Sequence, residues 1–224
     1  MPEPRIVTID GPSGSGKGTI ASRLARQLGW RFLDSGALYR LVGLDAETRG
    51  IDFSETNKIK ELASFIDVEF EEERVLLNGR EVTEIIRTEA AGNNASRVAA
   101  IPEVREALLE WQRGYARAPG LVADGRDMGT VVFPHAQVKI FLDASPEERA
   151  RRRHKQLKEK GFSANLASLV GEIRERDERD RNRPVAPLFP AADAVVIDST
   201  RLSIGEVLAD VRARINARWP DLAA

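Results

Sequence analysis

The sequence predicts an α/β fold, a doubly wound parallel sheet flanked by helices, with a small antiparallel β insert and a helical lid. Three observations predict it. Runs of buried-strand character at residues 6–9, 121–124, 138–143 and 194–198 alternate with segments whose apolar residues recur at helical spacing. A glycine-rich turn joins the first run directly to the first helix. Asn78-Gly79, between Val75-Leu76-Leu77 and Arg80-Glu81-Val82, signals a tight two-residue hairpin set apart from the apolar strands.

The elements follow in order. Ile6, Val7 and Ile9 form a β-branched run bounded by Gly11-Pro12, and Ile20, Ala21, Leu24, Ala25 and Leu28 mark one face of a helix. Arg31-Phe32-Leu33-Asp34 reads as a short strand, with a helix from Ser35-Gly36 to about Arg49. Ser54 reads as the cap of a further helix with Glu55 in its first turn. Residues 65–70 alternate apolar and polar and open the β insert. Residues 88–99 and 102–118 are helical, the second stretch opened by Pro102, which suits a first turn. After the strands at 121–124 and 138–143, helices start at Ser145 and about Leu166. The strand at 194–198 and a helix over 203–219 close the chain. No repeat or low-complexity linker divides it, so one domain is expected over 1–224. Within it, a subdomain with the β insert covers about 36–105 and a basic lid about 151–165.

Composition narrows the function classes. With 224 residues and 42% hydrophobic residues the chain has enough apolar surface for a core. It contains no cysteine, which excludes disulfides, thiolate metal sites and cysteine nucleophiles. His135 and His154 are unclustered and read as structural or surface residues. A net charge of −1 gives no general attraction to nucleic acid, and no apolar run is long enough to span a bilayer. A soluble, cytoplasmic, monomeric protein is expected, without nucleic-acid or membrane partners. Seven basic residues between Arg149 and Lys160, and five arginines alternating with four acids between Arg174 and Arg183, read either as solvated helix faces or as arginines that close over phosphates.

The chemistry begins at Gly11-Pro12-Ser13-Gly14-Ser15-Gly16-Lys17-Gly18-Thr19. Strand, glycine loop, lysine and helix in this order form a phosphate-binding loop: the glycines let backbone N–H groups turn inward, and the helix N-terminus adds donors and a favourable dipole. Lys17 brings a positive charge to the outer phosphates. The usual motif has Ser or Thr directly after the lysine to touch Mg²⁺, whereas here Gly18 intervenes before Thr19. The Gly-Lys-Gly-Thr form resembles P-loop nucleoside monophosphate kinases. That resemblance implies Mg²⁺ held by water and nucleotide phosphates, which suits a cation that dehydrates reluctantly.

Further blocks sharpen the resemblance. They are Leu33-Asp34-Ser35-Gly36-Ala37-Leu38-Tyr39-Arg40, Ala95-Ser96-Arg97 through Arg105, Asp124-Gly125-Arg126-Asp127-Met128-Gly129-Thr130, and Glu175-Arg176-Asp177-Glu178-Arg179-Asp180-Arg181-Asn182-Arg183. With the loop, they make the chain similar to the bacterial cytidylate kinases over almost its whole length. The resemblance implies transfer of the ATP γ-phosphoryl group to CMP or dCMP. It matches Arg40, Arg126 and Arg183 to arginines that grip the acceptor phosphate, where a guanidinium offers paired donors and keeps its charge. It places Ser35 in the acceptor site, and the 36–105 subdomain becomes the acceptor-binding one. Arg176 and Asp180 match sugar contacts; the plain alternative is an ion pair between them at i,i+4. Ser96, Arg105 and Asp127 fall to base choice, since a carboxylate accepts from the cytosine amino group. The plain alternative for Asp127 is a salt bridge to Arg126 or Arg105.

Asp124 ends an apolar strand, where a carboxylate meets Mg²⁺ through water or caps the following turn. No direct protein ligand to the metal is expected. Arg151 and Arg153 are the candidate lid arginines for the ATP phosphates, although helical spacing cannot turn all of Arg149, Arg151, Arg152, Arg153, Lys155 and Lys158 toward one site. The rivals are a kinase for shikimate, gluconate or adenylate, which shares the loop but not the later blocks, and a GTPase switch, whose Asn-Lys-x-Asp element the sequence lacks.

Overall fold

The computed structural model describes residues 3–71, 74–159, 161 and 163–222. Residues 72–73 of the predicted insert, and residues 160 and 162 of the predicted lid, including Lys160, lie outside the described residues. In chain order the elements are β1 (Arg5–Asp10), α1 (Lys17–Leu28), β2 (Arg31–Asp34), α2 (Ser35–Thr48) and α3 (Thr56–Ser64). Three short strands follow, β3 (Val68–Glu71), β4 (Arg74–Leu77) and β5 (Arg80–Glu81), then α4 (Glu89–Val98) and α5 (Pro102–Gly114). The chain continues through β6 (Gly120–Gly125), β7 (Val138–Asp143), α6 (Pro146–Glu159), α7 (Leu166–Asn182), β8 (Val195–Asp198) and α8 (Ile204–Arg218). It divides into two compact units, one formed by Met1–Leu33 with Tyr115–Ala224, the other by Asp34–Gly114.

The first unit is built on a five-stranded sheet in the order β2-β6-β1-β7-β8. β1 pairs in parallel with β6 and β7, and β7 in parallel with β8. The central strands are near-continuous apolar runs because helices cover the sheet. Val7 and Ile9 of β1, Val122 of β6 and Ile140 of β7 pack with Ile20 and Leu24 of α1 and with Val207, Val211 and Ile215 of α8. Each such side chain contributes about 1.5–3 kcal/mol by leaving water. Trp30 and Trp219 close one end of this core edge to face, with centroids 5.5 Å apart. What matters for function is register: Ile9 lies opposite Asp124 and Asp10 opposite Gly125. The glycine loop after β1 and the Arg126-Asp127 segment after β6 therefore leave adjacent parallel strands at the same level. In open α/β sheets, ligands bind at that edge.

In the second unit α2 packs on α4 and α3 on α5, and the three strands pair antiparallel in the order β3-β4-β5. Ala37, Leu41, Leu77, Val82 and Ile86 form its own apolar cluster. The hairpin signal is borne out: Leu77 faces Arg80 across a two-residue turn whose Asn78 and Gly79 have φ of 51° and 73°.

Three boundaries differ from the sequence reading. Ser54 does not cap α3. Its N–H donates to Asp52 Oδ1, the Asp52 N–H donates to the Glu55 carboxylate, and this local turn defers the helix to Thr56. The helix from Pro102 stops at Gly114 rather than continuing to 118, since glycine favours an end there and Pro119 holds the residue before it out of helical conformation. The strand opening the insert starts only at Val68. Phe65 belongs to the end of α3, with its N–H on the Glu61 carbonyl.

Candidate active site

The loop from Gly11 to Gly16 turns directly into α1. Asp34, Thr88, Asn165 and Ser203 cap α2, α4, α7 and α8 with side-chain oxygens, whereas Gly16, in left-handed conformation at φ 94°, gives α1 no side-chain cap. The start of α1 therefore has no side-chain oxygen at its cap. Lys17 is buried, with Nζ 3.4 Å from the Pro12 carbonyl and 3.7 Å from Asp124 Oδ1. At residue 18, where the usual motif has Ser or Thr, a Cβ would stand 3.0 Å from Asp124 Oδ2, a tight approach to the carboxylate near the end of β6.

Two arginines of α6 hold this loop from behind. Arg149, almost wholly buried, donates to the carbonyls of Ala144 and Ser13 and forms a paired contact with both oxygens of Asp177 on α7. Arg152 donates to the Ser15 carbonyl at 3.0 Å and to Ser199 at its hydroxyl and carbonyl. Arg151, by contrast, pairs with Glu148 at 2.8 Å, and Arg153 reaches Gln156 at 3.5 Å. The basic segment thus splits as its helical spacing requires.

Beyond β6 the chain makes a π-helical turn, Met128–Val132, in which the Phe133 N–H reaches the Met128 carbonyl at 2.7 Å. Arg126 donates through Nε to Asp180 Oδ2 at 3.0 Å. Burial opposes the charge of Arg126, but Asp180, Asp124 and Asp10 more than offset it. Burial likewise raises the Asp180 carboxyl, and Arg126, Arg176 and Arg183 outweigh it, holding Asp180 below the usual carboxylate range. Asp127 lies 3.5 Å from Arg183 Nη2, both side chains nearly excluded from water, and Arg183 also donates to the Ala186 carbonyl. Asp180 thus faces both the nearby Arg176 and Arg183 and the distant Arg126, and Asp127 faces the distant Arg183; only the contacts within α7 are legible from spacing. Arg176 and Asp180 both lie on α7. Asp10, at the end of β1, accepts from the backbone N–H groups of Met128 and Gly129, each at 2.8 Å. Burial pushes its carboxyl up to about 7; the two N–H groups pull the other way, and Asp127 and Asp124 add to the rise.

The remaining expected residues lie in the second unit. Ser35 is buried in the first turn of α2, and Arg40 on the same helix donates to the Ile86 carbonyl at 2.9 Å. Ser96 is buried on α4. Arg105, buried on α5, donates to the Ala99 carbonyl at 3.3 Å and lies 5.6 Å from the centre of the Tyr39 ring.

This combination of phosphate loop, paired arginines and acidic turn has known relatives. The family model "Cytidylate kinase" matches residues 7–217. The chain belongs to the cytidylate kinase family. It is 60% identical over 208 residues to a cytidylate kinase of Pectobacterium carotovorum subsp. carotovorum (strain PC1), covering 91% of this chain and 92% of that protein. With a cytidylate kinase of Pseudomonas entomophila (strain L48) the identity is 57% over 219 residues, covering 95% and 96%. Among solved structures, a gluconokinase from Sinorhizobium meliloti 1021 matches all of this chain and 98% of its own at a TM-score of 0.50, and its 16% identity speaks to fold alone. Of the features inside this cytidylate kinase chain, sequence reasoning missed three. Asp10 ends an apolar strand and reads as a loop boundary. Arg149 and Arg152 sit in a run of like residues, and only the i,i+3 spacing that sets them on one face of α6 marks them out.

Proposed function

We propose that the protein transfers the γ-phosphoryl group of ATP to CMP or dCMP, giving ADP and CDP or dCDP. The observation that carries this reading is the register of β1 and β6, which brings the phosphate loop and the Asp124-Gly125-Arg126-Asp127 segment to one edge of the sheet. Two polyanions must approach there. An acceptor phosphate oxygen attacks the γ-phosphorus, and the bond to the β-phosphate oxygen breaks as ADP leaves. The acceptor is already an anion, so no general base is required, and catalysis is positioning and electrostatics. Lys17 and the α1 amides receive the ATP phosphates. Arg126 and Arg183, pre-aimed by Asp180 and Asp127, meet the acceptor phosphate.

The same reading gives Ser35 and Arg40 to acceptor binding, Ser96, Arg105 and Asp127 to the base, and Arg176 with Asp180 to the sugar. The reading also gives Arg151 and Arg153, on the predicted lid, to the ATP phosphates, in exchange for their contacts with Glu148 and Gln156; Arg149 and Arg152 support the loop backbone. A divalent cation fits the donor set, because the buried Asp124 carboxylate beside Gly18 and Lys17 is a hard oxygen donor able to hold Mg²⁺ through water. When bound, Mg²⁺ neutralises phosphate charge. The test is steady-state turnover with CMP, dCMP, UMP, AMP and shikimate as acceptors. Preference for CMP or dCMP is expected, and turnover of AMP or shikimate without CMP would overturn the assignment while sparing the fold.

A further inference from the structure

Asp10 is not used by the reaction as described, yet it is placed where two functions join. Its backbone ends β1 and leads into the phosphate loop, while its side chain turns the other way, to the segment after β6. Each carboxylate oxygen takes one backbone N–H, Oδ1 from Met128 and Oδ2 from Gly129, both at 2.8 Å. These are the first two residues of the π-helical turn, immediately after Arg126 and Asp127. Bonds of N–H groups to a carboxylate are among the stronger hydrogen bonds, and two at once fix orientation as well as position. The fit is close. A Cβ on Gly129 would meet Thr8 Oγ1 at 2.9 Å, Lys139 Cδ at 3.2 Å and Asp10 Oδ2 at 3.3 Å, so the turn can approach the carboxylate only through glycine.

We propose that Asp10 is a positioning residue for the acceptor side: by clamping the Met128 and Gly129 amides it sets the aim of Arg126 and Asp127, and so tunes acceptor use and base choice. The proposal rests on the reading that Arg126 and Asp127 meet the acceptor nucleotide. The carboxylate does not touch the transferring group. An uncharged amide at residue 10 keeps the volume but offers one acceptor oxygen, with an NH₂ facing the second N–H.

The experiment compares the wild-type enzyme with Asp10→Asn at pH 8, above the value to which burial lifts this carboxyl. In the variant, kcat/KM for CMP should fall about tenfold or more and the CMP:UMP ratio of kcat/KM should drop, while the KM for ATP stays within about twofold. The Met128 and Gly129 amides should exchange faster with solvent deuterium. A general loss in which ATP and CMP suffer equally, or an unchanged CMP:UMP ratio, would overturn the proposal. If the variant does not fold, wild-type exchange decides: protection of both amides as strong as that of β1 supports the clamp, and rapid exchange rejects it. If the wild-type enzyme prefers another acceptor, the cytidylate reading fails, and the same comparison made with that acceptor still tests the clamp.

Discussion

The guanidinium of Arg149 grips both carboxylate oxygens of Asp177 in the interior, and the same group donates to the Ser13 carbonyl of the phosphate loop. One arginine thus ties the loop to α7, the helix that carries Arg176 and Asp180. A buried pair gains little over an apolar replacement, but a half-removed pair leaves a charge stranded in low dielectric.

Asp177→Asn should therefore destabilise the protein by about 3–5 kcal/mol in urea unfolding, because Arg149 keeps its charge. Adding Arg149→Met to that variant should restore part of the loss. A double variant less stable than both single variants would mean that the arginine stabilises mainly through its carbonyl contacts.

Lys17→Ala removes a positive charge from the loop. It should lower kcat by on the order of 100-fold with the fold intact, as the loss of preorganised electrostatic contacts does. Near-normal kcat in a folded variant would reject the loop's role.

Gly18→Ala tests the steric account of the motif. The new methyl would stand 3.0 Å from Asp124 Oδ2, so this buried carboxylate must give by a few tenths of an ångström. Displacement by a few tenths of an ångström should lower kcat about tenfold, with little change in Tm. A fully active variant would show that Asp124 yields without consequence.

How much of this was legible in the sequence depends on the range of the interaction. The strands, the capped helices and the Asn78-Gly79 hairpin rest on periodicity and on residues within one turn of each other, so they could be read locally. The loop could be read because its function resides in backbone conformations that glycine permits. The pairings of Arg126 with Asp180, of Arg183 with Asp127 and of Arg149 with Asp177 join separate elements, and charge alone does not select a partner among the four acids and five arginines between Arg174 and Arg183. Asp10 was hidden for another reason: its partners are backbone amides, which leave no mark in a sequence. The Ser54 cap failed because Asp52 and Glu55 offered the backbone a competing local turn.

Asp180 gives a pH dependence of definite sign. Its carboxyl is held below its ordinary value of 3.8, with Arg126, Arg176 and Arg183 outweighing the effect of burial. A lowered carboxylate contributes stability fully above its unfolded pKa and loses it as pH falls through the folded one. The stability difference between wild type and Asp180→Asn should thus be flat between about pH 5 and 8 and shrink below about pH 3.8. Thermal unfolding of both proteins across that range measures it. A difference that shrank already near pH 6 would mean a raised carboxyl and a weak Arg126 contact.

The last prediction separates base choice from catalysis at Asp127. Its carboxylate lies 3.5 Å from Arg183 Nη2, with both side chains nearly excluded from water. Asp127→Asn removes charge from the pair that holds Arg183, the proposed acceptor-phosphate arginine, so kcat/KM should fall for every acceptor. If the carboxylate also accepts from the cytosine amino group, CMP should suffer more than UMP, whose carbonyl the new amide can meet as a donor. The ratio of kcat/KM for CMP over UMP cancels the common damage to the arginine. It should drop by about 1.5–3 kcal/mol, roughly 10- to 150-fold, the range for a charge-assisted hydrogen bond in a desolvated site. A ratio that stays constant while both rates fall would assign Asp127 to bracing Arg183 alone. Arg183→Lys is the complementary variant: it keeps the charge near Asp127 but loses the fork, so it should depress both acceptors and leave the ratio in place.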